Sequence, residues 1–245
     1  MIWFVGAGPG DPELLTIKGY KLLKQADVVV YAGSLVNEAL LQNARPGARL
    51  INSAFLNLEE IVAVMIEAYR QGEQVVRLHT GDPSLYGAIG EQMQLLDEAG
   101  IPYAIVPGVS SFLAAAASLK REYTIPDGTQ TVIITRVEGR TPVPEQEQLR
   151  LLAQHRSSLA IFLSVGLIHK VAEELSQHYP PDTPVAVVEK ASWPEERVVK
   201  GRLQELADMV TEAGIKKTAL ILVGEFLSKS GKSKLYDKDF SHEYR

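Results

Sequence analysis

Short apolar runs alternate with amphipathic segments through the first half of the chain, and this alternation constrains the fold more than any other feature. The apolar runs are typical of buried strands, and the segments between them have helical periodicity. Strands that alternate with helices predict βαβ units and a parallel sheet. The predicted strands are residues 2–5, 28–31, 49–51, 74–78 and 103–106.

Two helix starts can be read from capping residues. Asp11 is a good N-cap, and Pro12 after it suits the first helical position because proline lacks an N–H that would stay unpaired there. Asn57 precedes Glu60 by three residues, which is the spacing of a capping box. The sequence therefore predicts that helices begin at these two places.

The second half of the chain predicts a different sheet. The strand-like runs there are residues 131–135, 159–163, 185–189, 197–200 and 219–223, and helical periodicity appears in 145–154, 168–178 and 203–213. Segment 197–200 follows the strand before it after a turn too short for a helical crossover, so this sheet is predicted to be mixed. We expect an α/β fold with two αβα lobes: an N-terminal lobe (residues 1–120) with a mostly parallel sheet, a C-terminal lobe (121–227) with a mixed sheet, and a polar tail (228–245).

Composition excludes several classes of function. The net charge of −5 argues against a nucleic-acid partner, which usually requires a basic face. Cysteine is absent and the histidines are scattered singly, so no metal site is predicted. No apolar run approaches the length of a membrane span, and the first residues lack the basic start of a signal peptide. We therefore expect a cytoplasmic protein with no membrane partner.

Glycine-bearing loops follow three of the predicted strands. They are residues 6–12, residues 79–87 and residues 107–111. Glycine has no Cβ, so the backbone at these places can approach a ligand closely. In an open α/β sheet, ligands bind at the carboxyl ends of the strands. The loops therefore predict one ligand that is held from more than one side.

The first loop does not match a dinucleotide-binding fingerprint. That fingerprint needs free N–H groups at a helix start that faces a diphosphate. Here Pro9 and Pro12 remove donors, and Asp11 brings a negative charge to the place of the phosphate. A ligand with an adenosine part but no diphosphate fits better, and S-adenosylmethionine is the common ligand of this kind. Its cationic sulfonium suits carbonyl oxygens better than a ring of N–H donors.

Several motifs together resemble one known family. Residues 5–16 and 77–88 are similar to two signatures of the uroporphyrin and precorrin methylases, which use S-adenosylmethionine and release S-adenosylhomocysteine. Within that family, the likeness is closest to the precorrin-4 C(11)-methyltransferases of cobalamin synthesis. It rests on segments 31–36, 89–92, 130–136, 139–142, 190–196 and 233–242. The resemblance covers essentially the whole chain.

The resemblance implies a homodimer that holds the methyl donor in a cleft between its lobes, with a tetrapyrrole as small-molecule substrate. It implies donor contacts at Pro9, Thr80, Gly81, Asp82, Leu85, Ser110, Ser111, Val165, Ala191, Thr218 and Ala219. Because the implied substrate carries many carboxylates, cations near strand ends are candidates to bind it: Lys120, Arg121, Arg136, Arg140 and Lys190.

A catalytic base is less well marked than the donor site. Asp82 and Glu91 are the candidates to take the proton that must leave the methylated ring. Glu91 can equally be a first-turn carboxylate that the helix dipole stabilises. Enzymes that act earlier in the pathway carry an arginine where this chain has Ala88, so the role suggested for that arginine does not transfer.

Alternatives remain open at this point. The chain could methylate another precorrin carbon, or a protein or RNA substrate, although the acidic net charge disfavours RNA. A dinucleotide oxidoreductase is disfavoured by Pro9 and Asp11, and a non-catalytic ligand sensor is not excluded by binding motifs alone. The sequence does not say whether the substrate already holds cobalt.

Overall fold

The computed structural model describes residues 1–233 and residue 241. Their contacts divide the chain into two compact units. The first unit holds Met1–Ala114 with Ser192–Pro194, and the second holds Ala115–Ala191 with the described residues from Glu195 onward. The boundary predicted after residue 120 lies just past a helix, Ser111–Leu119, that this division cuts. Most of the predicted polar tail, and most of the family-like segment 233–242, lies outside the described residues.

The sheet of the first unit is parallel, as predicted. Among the described residues it has five strands in the order β3-β2-β4-β1-β5. The strands are β1 (Ile2–Gly6), β2 (Val28–Tyr31), β3 (Arg49–Asn52), β4 (Val75–His79) and β5 (Tyr103–Val106). All five fall where the apolar runs predicted them, with ends that differ by a residue at most.

The helices of the first unit follow the strands as βαβ units require. They are α1 (Ile17–Gln25), α2 (Glu38–Leu41), α3 (Leu58–Arg70), α4 (Ile89–Glu98) and α5 (Ser111–Leu119), with short 3-10 turns at Pro12–Leu14, Gly33–Leu35 and Ser53–Phe55. Both predicted caps are confirmed. The Asp11 carboxylate accepts from the Glu13 N–H at 2.9 Å, and Asn57 and Glu60 form the reciprocal bonds of a capping box at 2.9 and 2.8 Å.

Helices cover both faces of this sheet. The face on which each helix packs indicates where a ligand can bind at the carboxyl ends of the strands. Leu23 of α1 packs with Val5 and Val76 in one core, whereas Met65 of α3 and Leu96 of α4 pack on the opposite face. Strands β1 and β4 are neighbours, yet the helices that follow them lie on opposite faces. This is a topological switch point, where the carboxyl ends of the two strands open onto a crevice.

The sheet of the second unit is mixed, which confirms the prediction from its short turn. Its described strands are β6 (Val132–Arg136), β7 (Ser158–Phe162), β8 (Pro184–Glu189), β9 (Arg197–Arg202) and β10 (Ala219–Val223), in the order β6-β7-β10-β8-β9. Only β6 and β7 pair in parallel among these neighbours. Val187 and Ile221 lie in a core that the helices of this unit cover.

The helices of the second unit are α6 (Leu149–Leu152), α7 (Ile168–Ser176) and α8 (Leu206–Glu212). The helix predicted over residues 145–154 is wrong as a single element. Gln148 has extended dihedral angles, which divide the segment into a 3-10 turn (Glu145–Glu147), α6 and a second 3-10 turn (Ala153–His155). Across the part of the chain described here, no helix has the length and apolarity to cross a bilayer.

Candidate active site

Three loops meet at the carboxyl edge of the first sheet. We name them the first loop (residues 6–16), the second loop (79–88) and the third loop (106–111). Gly8 and Gly81 exchange two backbone hydrogen bonds, of 3.2 and 2.8 Å, and the Ala7 N–H donates to the His79 carbonyl at 2.6 Å. An isolated antiparallel bridge beyond the parallel pair β1–β4 therefore joins the first two loops.

Glycines allow the third loop to pack against the other two. A Cβ at Gly108 would lie 2.2 Å from the carbonyl oxygen of Gly81, and a Cβ at Gly6 would lie 2.6 Å from the Gly108 nitrogen. No side chain fits between backbones this close. Gly81 differs, because a Cβ there would meet nothing nearer than 3.7 Å; its φ of +60° is what favours glycine.

Asp82 braces the second loop against the third. One carboxylate oxygen accepts from the Gly108 N–H at 2.8 Å, and the other accepts from the N–H and hydroxyl of Ser84. Partial burial raises the pKa of Asp82, but the hydrogen bonds from Ser84 and Gly108 outweigh it and hold the pKa below its ordinary value of 3.8. A carboxylate that is held this way is a weak base, so this geometry favours a positioning role for Asp82.

Trp193 and Ser192 hold the first loop by hydrogen bonds. The indole N–H donates to the Pro9 carbonyl at 2.8 Å, and the ring covers Gly10 so closely that a Cβ there would lie 1.9 Å from it. The Ser192 hydroxyl accepts from the Asp11 N–H at 3.0 Å. Sequence reasoning singled out segment 190–196 as a family signature but did not assign this contact, because nothing local links it to a loop far away in the chain.

The three loops suit a cationic ligand and not a diphosphate. They contain no lysine or arginine, whereas Asp11, Glu13 and Asp82 are acidic. The helix start in the first loop is already capped by Asp11, so its N–H groups do not offer a phosphate site. Thr80 is exposed, Ser111 is half-buried and Ser110 is buried, so the predicted donor-binding residues of these loops differ in how accessible they are to a ligand.

A pocket of about 500 Å³ lies beside the second loop, at the ends of β2, β3 and β4. Its lining residues are Ala32, Ser34, Leu35, Ser53, Ala54, Leu58, Ile61, Arg77, Gly87, Ala88, Glu91 and Gln92. Tyr86 and Ala88 have left-handed backbone, with φ of 55° and 48°. Such strain persists only where the surrounding structure imposes it, and it clusters at functional sites. Glu91 lies on the pocket wall, which is compatible with the predicted catalytic role.

Two polar side chains on β4 are buried beneath this region. Arg77 lies on the pocket wall, donates from Nε to the Gln92 side chain at 3.1 Å, and donates from Nη1 to the Val30 carbonyl at 3.3 Å. Burial lowers its pKa to about 10, so it stays charged at neutral pH. His79 stacks on Phe4, and burial together with the charge of Arg77 lowers its pKa to about 3. Its Nε2 has no hydrogen-bond partner among the described residues.

The other predicted donor residues cluster at one edge of the second sheet. Ala191 follows β8, Thr218 precedes β10 and Ala219 begins it; the Lys190 N–H donates to the Thr218 carbonyl at 2.8 Å. The 3-10 turn Val165–Leu167 contacts β10 and holds the buried Val165. The antiparallel pairing of β8 with β10 brings these positions together, although they are distant in sequence.

The predicted substrate cations have different surroundings within the second unit. Arg136 donates to the Thr141 and Pro142 carbonyls at 3.1 and 2.6 Å, and Lys190 lies 3.7 Å from Glu195. Arg121 lines a second, smaller hollow of about 180 Å³ in the second unit.

Lys120 and Arg140 are exposed. The 500 Å³ pocket instead presents Arg77, which sequence reasoning missed although a charged residue inside an apolar strand was the available signal. Within residues 1–233 and 241, no group of three metal-ligating side chains is close enough to hold an ion.

Comparison with known proteins decides the family. Residues 1–207 match the family of tetrapyrrole (corrin/porphyrin) methylases. The chain belongs to the tetrapyrrole methylases. The family resemblance carried by the loop motifs is therefore confirmed.

Relatives of this tetrapyrrole methylase span nearly its whole length. It is 60% identical over 244 residues to the cobalt-precorrin-4 C(11)-methyltransferase of Methanocaldococcus jannaschii. The aligned region covers 98% of this chain and 94% of the relative. The X-ray structure of a cobalamin biosynthetic enzyme, cobalt precorrin-4 methyltransferase, superposes with a TM-score of 0.91 at 52% identity and covers 93% of this chain and 96% of that one.

A solved complex adds the donor product. The uroporphyrin-III C-methyltransferase of Thermus thermophilus, crystallised with S-adenosylhomocysteine, matches this tetrapyrrole methylase with a TM-score of 0.77 at 34% identity. The match covers 93% of each chain. A similar backbone therefore accommodates S-adenosylhomocysteine in that protein.

Proposed function

We propose that this chain is a precorrin-4 C(11)-methyltransferase, which transfers a methyl group from S-adenosylmethionine to carbon 11 of precorrin-4, or of its cobalt complex, in cobalamin synthesis. Two relatives, 60% and 52% identical over at least 98% of this chain, carry the name cobalt-precorrin-4 C(11)-methyltransferase. Any cobalt would enter as part of the substrate.

The observation that carries the proposal is the position of the second loop. At Gly81 and Asp82 this loop joins the three-loop junction, and at Gly87 and Ala88 it lines the 500 Å³ pocket. One rigid segment thus borders both a junction suited to the donor and a concave site suited to part of a macrocycle. Methyl transfer needs this adjacency, since donor and acceptor atoms must meet in line.

The first unit's loops fit S-adenosylmethionine by their chemistry. S-adenosylmethionine, when bound, supplies an electrophilic methyl group on a cationic sulfur. The loops are acidic, lack lysine and arginine, and approach one another through glycine backbones that leave no room for a Cβ. We propose that this donor is bound by Pro9, Thr80, Gly81, Asp82, Leu85, Ser110 and Ser111. We also propose that Val165 and Ala191 flank its adenine and that Thr218 and Ala219 lie near it.

The residues of the chain contribute mainly by positioning. Holding two reactants in near-attack geometry can lower the barrier by roughly 7–11 kcal/mol, and methyl transfer from a sulfonium needs no covalent nucleophile. We assign Asp82 to bracing the loops, because both of its carboxylate oxygens are already hydrogen-bonded. Glu91, in the first turn of α4 and on the pocket wall, is the better candidate to accept the ring proton. We also propose that the enzyme is a homodimer in the cytoplasm. The candidate cations near the substrate are Lys120, Arg121, Arg136, Arg140 and Lys190.

The decisive experiment is incubation with methyl-labelled S-adenosylmethionine and precorrin-4, in parallel with its cobalt complex. Carbon NMR of the product identifies the methylated ring carbon. Label at carbon 11 is the expected result, and label at another ring carbon, or none with either substrate, would overturn the proposal. Calorimetry with S-adenosylhomocysteine and NAD adds a separate check on the donor, since NAD binding alone would indicate a dinucleotide enzyme.

A further inference from the structure

Arg77 is a buried cation to which the proposed reaction assigns no role. It lies in the middle of β4 with 4% of its surface exposed, and it lines the 500 Å³ pocket. Its Nε and Nη1 atoms donate to Gln92 and to the Val30 carbonyl, both uncharged acceptors. Among the described residues, no carboxylate forms an ion pair with it.

The surroundings leave this charge without compensation. Burying an unpaired cation is costly, and proteins normally pair such groups. His79, two residues along the same strand, is neutral at working pH, so it does not balance or oppose the charge. Glu91 lines the same pocket from an exposed position on α4. The guanidinium has five N–H donors, and the Nη2 group has no hydrogen-bond partner among the described residues.

An anionic ligand in the pocket would supply what Arg77 lacks. We propose that Arg77 binds a carboxylate of the tetrapyrrole substrate, and that Gln92 holds the guanidinium in the orientation for this contact. The inference rests on the proposed function, because that function supplies a substrate with carboxylate side chains. Arginine pairs with carboxylates in a fixed planar geometry, so the contact also sets how the macrocycle is turned and which ring carbon faces the second loop.

Gln92 is placed to act as the positioning residue. It is buried, accepts from Arg77 through its side-chain oxygen, and donates through its side-chain nitrogen to the Ala88 carbonyl at 3.2 Å. The guanidinium is thereby linked to the strained end of the second loop. One side chain therefore connects the end of the second loop to the orientation of Arg77.

The test compares Arg77→Met and Gln92→Met with wild-type enzyme. The matched control is Arg49→Met, because Arg49 is an exposed arginine of the same sheet that pairs with Glu73 at 2.6 Å. KM and kcat are measured with the precorrin-4 form that wild type uses, and the Kd of S-adenosylhomocysteine is measured by calorimetry. Arg77→Met is expected to raise KM by about 30-fold or more, and Gln92→Met by about 2- to 12-fold. The control keeps wild-type KM, and all variants keep wild-type affinity for S-adenosylhomocysteine.

A wild-type KM in folded Arg77→Met would overturn the inference. A loss of S-adenosylhomocysteine affinity and thermal stability in proportion to the rise in KM would also overturn it, since that pattern indicates a purely structural role. If Arg77→Met does not fold, Gln92→Met decides, and an unchanged KM there overturns the inference. Failure of wild type to methylate either precorrin-4 form is a different result, which overturns the proposed function before any variant is compared.

Discussion

Substituting alanine for Gly108 should separate the second and third loops and weaken donor binding. The added Cβ would lie 2.2 Å from the Gly81 carbonyl oxygen and 2.8 Å from the Gly6 Cα. Carbon–oxygen contacts are ordinarily no closer than roughly 3.3 Å, so the backbones must move apart by about 1 Å. Both neighbours are backbone atoms, Gly6 at the end of β1 and Gly81 in its bridge to Gly8, and no flexible side chain can yield instead.

The cost follows from the overlap and from one hydrogen bond. Overpacking of this kind costs about 1–3 kcal/mol, and the part of this cost that falls on donor binding lowers the affinity by up to about 150-fold. The shift also stretches the 2.8 Å bond from the Gly108 N–H to the Asp82 carboxylate, so we expect the upper part of that range. Because the clash lies in loops at the edge of the sheet, part of the cost appears as a lower melting temperature.

Calorimetry with S-adenosylhomocysteine and thermal unfolding by circular dichroism measure the two effects. Gly90→Ala is the matched control, because a Cβ there would have no heavy atom within 4 Å and the position lies in the first turn of α4. It should keep wild-type affinity and gain roughly 0.5–1 kcal/mol of stability. Wild-type affinity for S-adenosylhomocysteine in Gly108→Ala would refute the reasoning from loop packing.

Three further substitutions test other parts of the site. Asp82→Asn should lower the free energy of unfolding at pH 7. Because the folded-state pKa of Asp82 lies below its ordinary 3.8, the loss of stability relative to wild type should be complete above about pH 4 and should shrink as the pH falls through the folded-state pKa. Urea titrations that show the same difference in stability at every pH would contradict this. Glu91→Gln should reduce kcat by about 100-fold or more without changing the Kd of S-adenosylhomocysteine if Glu91 is the base, and an unchanged kcat would leave it a helix-dipole residue. Trp193→Phe keeps the ring over the first loop but loses the N–H to the Pro9 carbonyl, so donor affinity should fall by about 2- to 12-fold; calorimetry that shows no change would mean that this bond does not hold the first loop for donor binding.

Local features of the chain were sufficient for much of the fold. The strands, the Asp11 cap and the Asn57 capping box depend on residues within one turn or one strand of each other, so their patterns are complete in a short window. The helix predicted over residues 145–154 failed for the same reason. Its apolar spacing is helical, but the backbone at Gln148, with φ −59° and ψ 138°, interrupts the helix, and the local apolar pattern does not mark that break.

In the candidate site, too, local features were predictable from the sequence and long-range contacts were not. The glycine-bearing loops, with Pro9, Pro12 and Asp11, were readable as sequence and indicated a ligand without a diphosphate. Together with the other motifs they identified the family, which the comparison confirms. By contrast, the bond from Trp193 to Pro9 joins residues 184 positions apart, and no local pattern predicts it.

The sequence by itself determined the strands, the loop chemistry and the family, because each of these is written in neighbouring residues. Only the tertiary structure decided the strand order β3-β2-β4-β1-β5, which puts β4 between β2 and β1. That order gives the second loop the three-loop junction on one side and a pocket on the other. It also turns Arg77, which as sequence is one charged residue in an apolar run, into the cation of the pocket wall. The physical reason is that side chains meet across a sheet according to which strands are neighbours, and packing of the whole chain selects those neighbours.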